Sequence, residues 1–480
     1  MRSRLWEPTQ GPHALVIGGS LAGLLAAKVL SDHFERVTIV ERDSFPLSPQ
    51  PRRGTPQANH VHALMPRGRL IVEQLFPGLH QEMIAAGAPL VDMARDIAWL
   101  TPQGWGVNFN SGLEVLGFTR PLLDFHVRQR LCANPAIRFV DCTEFLRLIP
   151  ANDHSVGGAV VRIHAANGES VETKLIADLV VDATGRASRA PQWLAEIGYV
   201  SPDETRVNAH LGYASRLYEI PKNFNADWKG VFVQCAPPIR KRGAILFTVE
   251  GNRWLVTLIG GGRDYPPNDE AGFLEFAQSL PVSIIYDAIK TASPLTPIKV
   301  HRGTENRLRH FEKLGNQPHN FIALGDSVCA FNPVYGQGMT IAAIEAMTLE
   351  DSLRRWKTSD RNFSRRFQRQ LAKVTEAPWM MATSEDYRYR ETEGGGVNRM
   401  TKFMHSYMDE VLRLSTRDTN VRHVLLQAFG MLVAPSALFR PKVLKRLLPA
   451  AFARAISGKR QERPTSADPV RSNWPIRVNN

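Results

Sequence analysis

The sequence predicts an α/β fold in three parts: an α/β unit assembled from separate stretches of chain, an antiparallel β-sheet, and a helical C-terminal region. Two glycine-rich segments indicate the α/β unit, because one short apolar run breaks into Gly18 and Gly19 and another ends at Gly325, each ahead of an apolar stretch suited to a helix. Residues 207–262 have the pattern of strands, and the residues beyond 342 have that of helices. This order predicts a cofactor domain that is interrupted by a second sheet.

The first glycine-rich segment predicts a strand, a tight turn and a helix. Residues 15–17 are apolar, the turn is Gly18, Gly19 and Ser20, and Gly23 follows inside the helix. A helix start offers free N–H groups and a positive dipole end to a pyrophosphate, and glycine lets the phosphate approach closely. Ser20 replaces the middle glycine of the G-x-G-x-x-G pattern, so the pattern alone would also fit a buried turn without a ligand.

An acidic residue at the end of the next strand supports the dinucleotide interpretation. The apolar run 37–40 ends in Glu41, at about the 20-residue spacing at which a carboxylate accepts ribose hydroxyls. Arg42 follows directly and is a further candidate contact. Strand, turn, helix and acid together predict a Rossmann-type dinucleotide site.

Two further segments accompany this site. Residues 180–186 form an apolar strand end that contains Asp182 and Gly185. The distal segment is the apolar run 321–324 followed by Gly325 and Asp326, and then by a loop that opens another helix. This loop contains Pro333, Gly336, Gln337, Gly338 and Met339. A NAD-binding domain does not need this second half.

Together these segments resemble the FAD-dependent monooxygenase superfamily with the p-hydroxybenzoate hydroxylase fold, over approximately residues 13 to 355. The motifs are most similar to those of bacterial FAD epoxidases and monooxygenases such as the polyether epoxidases, with geranylgeranyl reductases and squalene epoxidase more distant. The resemblance implies FAD as cofactor, bound by a Rossmann-type domain of discontinuous segments beside an antiparallel substrate sheet. The predicted ranges are 13–95, 115–190 and 300–360 for the FAD-binding domain, 96–114 and 191–299 for the substrate domain, and 361–480 for the helical C-terminal region.

The resemblance also implies roles for individual residues. It places an acid such as Asp326 on the flavin, where a carboxylate accepts ribityl or ribose hydroxyls; a plain strand-end turn is the alternative. The loop that ends in Gly338 directs its N–H groups along a new helix, whose positive end suits the flavin N1–C2=O edge; a helix cap without a ligand is the alternative. Arg53, Gln57 and Arg120 match positions that touch FAD in the family, against the alternative of solvated loop residues.

One departure from the family concerns the electron donor. Many NAD(P)H-dependent aromatic hydroxylases carry Asp-Gly in the middle motif, where the acid contacts the pyrophosphate and helps to handle the nicotinamide. This chain has Thr184 before Gly185, and its nearest acid is Asp182. We therefore leave two sources of electrons open: NADPH directly, or a separate partner such as a flavin reductase.

The composition is that of a large enzyme rather than of a nucleic-acid-binding or membrane-spanning protein. The chain has 480 residues, 43% of them hydrophobic, and a diffuse net charge of +13 without a visible nucleic-acid-binding module. It has no uninterrupted apolar run of about 18 residues and no apolar leader, so we expect a cytoplasmic protein. The cysteines show no C-x-x-C spacing, which argues against zinc and against a disulfide framework.

Near the C-terminus an apolar stripe between residues 429 and 452 alternates with basic residues. The basic residues are Lys442, Lys445, Arg446, Arg454, Lys459 and Arg460. This pattern fits a weak peripheral contact with an anionic membrane, or a stripe packed against the cofactor domain with solvated charges. Pro435, Pro441 and Pro449 divide the segment into short pieces, which favours packing.

No catalytic side chain is identified from the sequence. His60 and His62 face the same side of an extended segment, and a structural pair is favoured over a flavin or substrate contact and over a metal site, for which further ligands are missing nearby. Cys329 fits a small filler beside the cofactor, because no base is adjacent to it. Tyr335 fits either a wall of the substrate site or a packing role.

The expected activity is that of an FAD-dependent monooxygenase. Such an enzyme transfers one oxygen atom of O2, through a flavin C4a-hydroperoxide, to a small lipophilic substrate: an alkene or polyene, by epoxidation, or an aromatic secondary metabolite. Epoxidation needs a dry pocket rather than a side-chain base. The alternatives are a prenyl reductase of the geranylgeranyl type, which consumes no O2, and a flavin-dependent halogenase, whose W-x-W-x-I-P motif is not found in the sequence.

Overall fold

A computed structural model describes residues 11–151, 154–165 and 167–447. The strands in this part of the chain are β1 (His13–Ile17), β2 (Arg36–Val40), β3 (Leu90–Asp92), β4 (Ile97–Thr101), β5 (Gly104–Trp105), β6 (Glu114–Leu116), β7 (Ile137–Val140), β8 (Thr143–Pro150), β9 (Val156–His164), β10 (Ser170–Ile176), β11 (Leu179–Asp182), β12 (Glu204–Val207), β13 (Gly212–Glu219), β14 (Gly230–Val233), β15 (Arg242–Val249), β16 (Arg253–Gly260), β17 (Lys299–His301), β18 (Asn306–Arg309), β19 (Phe321–Ala323) and β20 (Cys329–Ala330). The α-helices are α1 (Leu21–Leu30), α2 (Pro66–Leu75), α3 (Leu79–Ala85), α4 (Arg120–Cys132), α5 (Ala190–Glu196), α6 (Glu270–Gln278), α7 (Ile284–Ile289), α8 (Gly338–Arg355), α9 (Phe363–Asp386), α10 (Arg399–Leu414) and α11 (Thr419–Phe429).

The α/β unit is a five-stranded parallel sheet in the order β19-β11-β1-β2-β7. Its strands come from distant parts of the chain, which confirms the predicted α/β fold with a discontinuous parallel sheet. Every residue of the central strand β1 is buried, as expected where helices cover both faces of a parallel sheet. Leu24 and Leu25 of α1 lie in the same apolar core as Ile341 and Ala346 of α8, so the two helices that follow the glycine-rich segments pack together.

The second sheet has seven strands in the order β17-β13-β16-β15-β14-β4-β5. Neighbouring strands are antiparallel except for β14 and β4, which are parallel. A hairpin joins β15 to β16, with Gly251 and Asn252 at positive φ. One face of this sheet packs on α6 and α7. Its edge strand β17 continues past the domain boundary predicted at residue 299.

A third, antiparallel sheet has the order β10-β9-β8 and lies between β7 and β11 along the chain. This sheet is not among the elements predicted from the sequence. The chain between two neighbouring segments of the parallel sheet therefore makes an additional excursion, inside the range predicted for the FAD-binding domain.

The C-terminal part of the described chain is helical, as predicted. Helix α9 buries Phe367 and Leu371 in the core of the parallel sheet. In the apolar stripe, Leu438, Val443 and Leu447 pack with residues of α10 and α11. Met431 packs against the core of the parallel sheet, so the described part of the stripe packs partly within the helical region and partly against the cofactor domain. The basic residues from Arg454 onward and the end of the stripe lie outside the described residues. Among the helices that are described, none combines the length and apolar character needed to cross a bilayer.

Candidate functional site

The first βα turn depends on two glycines for its shape. Gly18 has φ +108°, and a Cβ there would lie 2.4 Å from the carbonyl oxygen of Ala183. At Gly23, inside α1, a Cβ would lie 1.9 Å from the carbonyl oxygen of Gly18. Side chains at these positions would push α1 away from the sheet. Ser20 makes no side-chain cap to α1, so the N–H groups of the first turn carry no side-chain acceptor.

Glu41 closes this turn together with an arginine that the sequence analysis did not select. The buried Glu41 carboxylate accepts the Gly19 N–H at 2.9 Å and pairs with Arg52 at 2.9 Å. Arg52 also donates to the Gly19 carbonyl oxygen at 2.9 Å. The predicted Arg53 is exposed instead. Adjacent residues in an irregular loop can point in opposite directions, and no feature of the sequence distinguishes these two arginines.

Of the other residues predicted in this region, Arg120 reaches the turn directly. Its buried guanidinium donates to the Ser20 hydroxyl at 3.0 Å and to Asp124 at 2.6 Å. Gln57 lies in a short 3-10 turn, and its side-chain oxygen is buried without a hydrogen-bond partner among the described residues. Arg42 is exposed at the end of β2.

Asp182 organises the middle segment from inside the protein. Its fully buried carboxylate accepts hydrogen bonds from Thr184 at 2.6 Å, Ser188 at 2.6 Å and Ser327 at 3.2 Å, and burial raises its pKa. The same Ser327 hydroxyl accepts the Gly185 N–H at 2.9 Å, and Gly185 has φ +80°. Asp182 thus joins the middle segment to the distal one, and its oxygens are already engaged by the chain.

Asp326 is the carboxylate that stays unengaged. It follows β19, is half-buried, and accepts no hydrogen bond from a described residue. Burial raises its pKa, while Arg186, Arg120 and Arg309 act in the opposite direction. A carboxylate with this environment can accept hydroxyl groups from a ligand that lies against the loop.

Glu345 fixes the loop that carries Asp326. It lies fully buried on α8, and its carboxylate accepts the Gly325 N–H. Burial raises the pKa of Glu345 to about 8, helped by the charge of Asp326. The sequence analysis missed this residue. A single acid on the apolar face of an otherwise well-packed helix is a signal that could have found it.

The two glycine-rich segments meet in one place. A Cβ at Gly325, which has φ +65°, would lie 2.9 Å from the Ala22 Cβ in the first turn of α1. A Cβ at Gly185 would lie 4.0 Å from the Asp326 Cβ. The start of α1, the middle segment and the distal loop therefore lie next to one another.

The loop that contains Gly336 leads into α8 and leaves space in front of this helix. Gly336 has φ +64° and lies against Met65. The side-chain oxygen of Gln337 is buried without a partner among the described residues, and a Cβ at the exposed Gly338 would meet no heavy atom within 4 Å. Pro333 is exposed at the start of the loop. Met339 is buried under it.

A buried polar network at the end of α9 stabilises this loop. Asp386, at the end of α9, accepts hydrogen bonds from Tyr335 at 2.5 Å, Asn332 at 3.1 Å and Asn306 at 2.6 Å. The Tyr213 hydroxyl donates to Asn332 at 2.8 Å. Burial raises the pKa of Asp386 to about 7. Asp386 lies beyond the range of the family resemblance, so no motif pointed to it.

The two histidines lie on a segment that contacts the seven-stranded sheet at His60 and the Gly336 loop at Met65. His60 Nδ1 is 2.7 Å from the Ser215 hydroxyl of β13, and His62 Nδ1 is 2.8 Å from the His60 carbonyl oxygen. Burial lowers the pKa of His60 to about 4 and that of His62 to about 3, so both rings are neutral at pH 7. Among the described residues no group of three or more His, Cys, Asp or Glu could hold a metal ion.

Solved structures with the same fold are flavoproteins. A flavoprotein/dehydrogenase from Cytophaga hutchinsonii is 15% identical with a TM-score of 0.66, over 93% of this chain and 100% of that chain. The flavin-dependent brominase Bmp2 is 12% identical with a TM-score of 0.63, over 92% and 100%. PqsL, a probable FAD-dependent monooxygenase from Pseudomonas aeruginosa, is 16% identical with a TM-score of 0.58, over 78% and 96%. The fold predicted from the sequence, shared by flavin-dependent monooxygenases and halogenases, is confirmed.

Sequence comparison adds a relative of nearly the same length. No model of a protein family matches the chain. Protein Rv3254 of Mycobacterium tuberculosis is 31% identical over 441 residues, which span 90% of this chain and 92% of that protein. The chain therefore belongs to the same family as Protein Rv3254.

Proposed function

We propose that this protein is an FAD-dependent monooxygenase that inserts one oxygen atom of O2 into a small lipophilic substrate. The observation that carries the proposal is the contact between the start of α1 and the distal segment that leads into α8, beside the Asp326 carboxylate, which accepts no hydrogen bond from a described residue. A site for NAD alone would use the first helix start only. The distal segment with its helix start supports a ligand that carries an electron-accepting ring joined through a hydroxylated chain to the pyrophosphate.

The residues present fit FAD. An anionic pyrophosphate matches the uncapped start of α1 and the Arg120 guanidinium beside Ser20. Asp326 can accept ribityl hydroxyls, and Glu41 lies where the ribose hydroxyls of an adenosine half are bound in this fold. The open space before Gly338 leaves room for a flat ring against the start of α8, where N–H groups favour developing negative charge. Bound FAD supplies the redox chemistry and the activation of O2.

The chain supplies binding, orientation and exclusion of water. The buried oxygens of Gln57 and Gln337 lack partners in the described structure and are therefore suited to accept N–H or O–H groups of a bound ligand. The neutral His60 and His62 border the Gly336 loop without bringing a charge to it. A pocket wall of this kind favours apolar substrates and protects reactive species from water.

The substrate side of the site is the face of the seven-stranded sheet on which His60 lies. Phe232, Ile245 and Phe247 point to this face and are only partly buried. Partly exposed aromatic and aliphatic side chains beside a cofactor loop support a lipophilic substrate. We propose an alkene or polyene, which would be epoxidised, or an aromatic ring, which would be hydroxylated; the electrons come from NADPH or from a flavin reductase.

A halogenase is the second candidate, because proteins that share the fold include a flavin-dependent brominase. A prenyl reductase remains the third. Oxygen uptake separates them: the purified protein with bound FAD is supplied with NADPH, with and without a flavin reductase, over a panel of polyenes and phenols, with and without bromide. We expect substrate-dependent oxygen uptake that does not require bromide. Product that forms only with bromide would favour the halogenase, and product without oxygen uptake would favour the reductase.

A further inference from the structure

Arg422 is a buried cation without a counter-ion in the described structure. It lies in α11 with no exposed surface, and its Nε, Nη1 and Nη2 atoms have no hydrogen-bond partner among the described residues. Burial lowers its pKa to about 10, so the guanidinium stays charged at neutral pH. Asp418, the acid one turn earlier, caps the N–H groups of Asn420 and Val421 and pairs with Arg446 at 2.8 Å. An unpaired charge in the interior destabilises the fold, which calls for a functional reason.

The surroundings of this guanidinium are shaped to hold it in place. It lies over the ring of Trp99, 5.5 Å from the ring centroid. At Gly106 a Cβ would lie 1.6 Å from Nη1 of Arg422, so the absence of a side chain there leaves the space that the guanidinium fills. On its other sides the Trp99 ring contacts Phe232 at 5.7 Å and Phe429 at 5.3 Å between ring centroids.

A row of paired residues joins this position to the candidate substrate site. Across the seven-stranded sheet, Trp99 pairs with Phe232, Phe232 with Ile245, Ile245 with Thr257, and Thr257 with Ser215. Paired residues on adjacent strands point to the same face of a sheet. The residues on either side of Trp99 in β4 pack on α6 and α7. Trp99 and the rest of the row therefore lie on the opposite face of the sheet, toward α11.

At its far end, the row contacts the segment that carries His60 and Val61, which leads to the Gly336 loop. Ser215 contacts His60, and the Thr257 hydroxyl accepts the Val61 N–H at 2.9 Å. Four strand spacings separate Trp99 from Ser215, which amounts to roughly 19 Å at about 4.8 Å per strand. Phe232 and Ile245, in the middle of the row, are partly exposed. The apolar residues of the row therefore form a surface that extends between the candidate reaction site and a buried positive charge.

We infer that the substrate is an amphiphile whose carboxylate, or another anionic oxygen group, pairs with Arg422 while its apolar chain lies along this row. The inference rests on the proposed function for the statement that the ligand is the substrate. A planar guanidinium pairs with two oxygens of such a group at once and so gives both affinity and orientation. Because the guanidinium is enclosed, the anion reaches it when the Trp99 ring moves, and binding changes the surroundings of that indole.

Binding to the holoprotein tests this directly, without turnover. The probes are a long-chain unsaturated fatty acid, its methyl ester and the alkyl sulfate of the same chain, each below its micellar concentration, and the readouts are tryptophan fluorescence and thermal unfolding. We expect the acid to bind on the order of tenfold or more tightly than the ester, because a charge-assisted pair is gained. Binding of the alkyl sulfate shows whether the site selects a carboxylate or accepts any anionic oxygen group.

Four variants separate the role of Arg422 from a general loss of fold. Arg422→Met should abolish the preference for the acid and leave the melting temperature of the unliganded holoprotein unchanged or raised, since a buried unpaired charge is removed. Gly106→Ala keeps the charge but displaces the guanidinium, and it should also weaken the binding of the fatty acid. The exposed Arg440→Met is the matched control and should keep the preference. In Trp99→Phe the fluorescence response should be lost.

Three outcomes would overturn the inference: equal binding of acid and ester to the wild type, an acid preference that survives Arg422→Met, or a lower melting temperature of unliganded Arg422→Met. The last would show that the guanidinium already stabilises the unliganded fold. Oxygen uptake is a separate measurement. Its failure in a protein that still prefers the acid would count against the proposed monooxygenase activity and not against the anion site.

Discussion

At the scale of single residues, the candidate site depends on positions where the backbone has no room for a side chain and on a carboxylate that accepts no hydrogen bond from a described residue. Gly18 and Gly23 let α1 approach the sheet, and Asp326 presents its oxygens beside them. These features make separate contributions, since the glycines shape the site and the carboxylate binds. A substitution at a glycine can therefore be tested separately from a substitution of the carboxylate.

Gly18→Val should empty the flavin site. The added side chain would begin 2.4 Å from the Ala183 carbonyl oxygen, and φ of +108° is unfavourable for valine, so the turn must open. The measurement is the flavin content of the purified, folded protein by absorbance. Gly315→Ala, where a Cβ meets no atom within 4 Å, is the matched control and should keep its flavin. Stoichiometric FAD in folded Gly18→Val would refute the placement of the cofactor.

Asp326→Asn should weaken FAD binding by about 1 to 3 kcal/mol, which raises the Kd by roughly 5-fold to 150-fold, because a charged acceptor of ligand hydroxyls is lost. The amide keeps the shape of the carboxylate, so the loop should stay folded. Titration of the apoprotein with FAD measures the change, and thermal unfolding of the apoprotein serves as the control for folding. Equal affinity in the variant and the wild type would place Asp326 away from the cofactor.

At the scale of elements, the end of α9 stabilises the loop that starts α8. Asp386 gathers hydrogen bonds from Tyr335, Asn332 and Asn306, and these tie a helix outside the family resemblance to the cofactor loop. The link is buried and titratable. It should therefore make the stability of this region depend on pH.

The expected sign follows from the raised pKa of Asp386, which moves from the ordinary 3.8 to about 7. The folded state holds the proton that the unfolded chain releases, so this contribution to stability is complete below about pH 4 and is lost as the pH rises through about 7. Asp386→Asn removes the titration. The melting temperature of the wild type relative to this variant should fall between pH 4 and pH 7 and then level off. A constant or rising difference over that range would contradict the raised pKa.

Local patterns predicted the elements well, and contacts between distant segments limited the rest. The first strand–turn–helix unit and the hairpin after β15 follow from periodicity and turn residues inside one short window. The small sheet of β8, β9 and β10 did not, because its strands look like those of the parallel sheet until their partners are known. Arg52 and Asp386 were missed because side-chain direction and tertiary packing, rather than spacing, bring them to the site.

At the scale of the whole molecule, the fold brings three separated segments of chain to one edge of the parallel sheet and places the seven-stranded sheet beside it. Most of the predicted cofactor residues lie at this edge, because the carboxyl ends of parallel strands meet there. The substrate side was not predictable to the same depth. Trp99, Phe232 and Arg422 belong to different elements, and only the sheet register aligns them.

The central claim is that one atom of O2 enters the product. The most direct measurement is the mass of the product formed by the reduced holoprotein under isotopically heavy O2, compared with ordinary O2. We expect a product that carries a single heavy oxygen atom and forms without halide. A product of the same mass under both gases, formed while no oxygen is consumed, would contradict it.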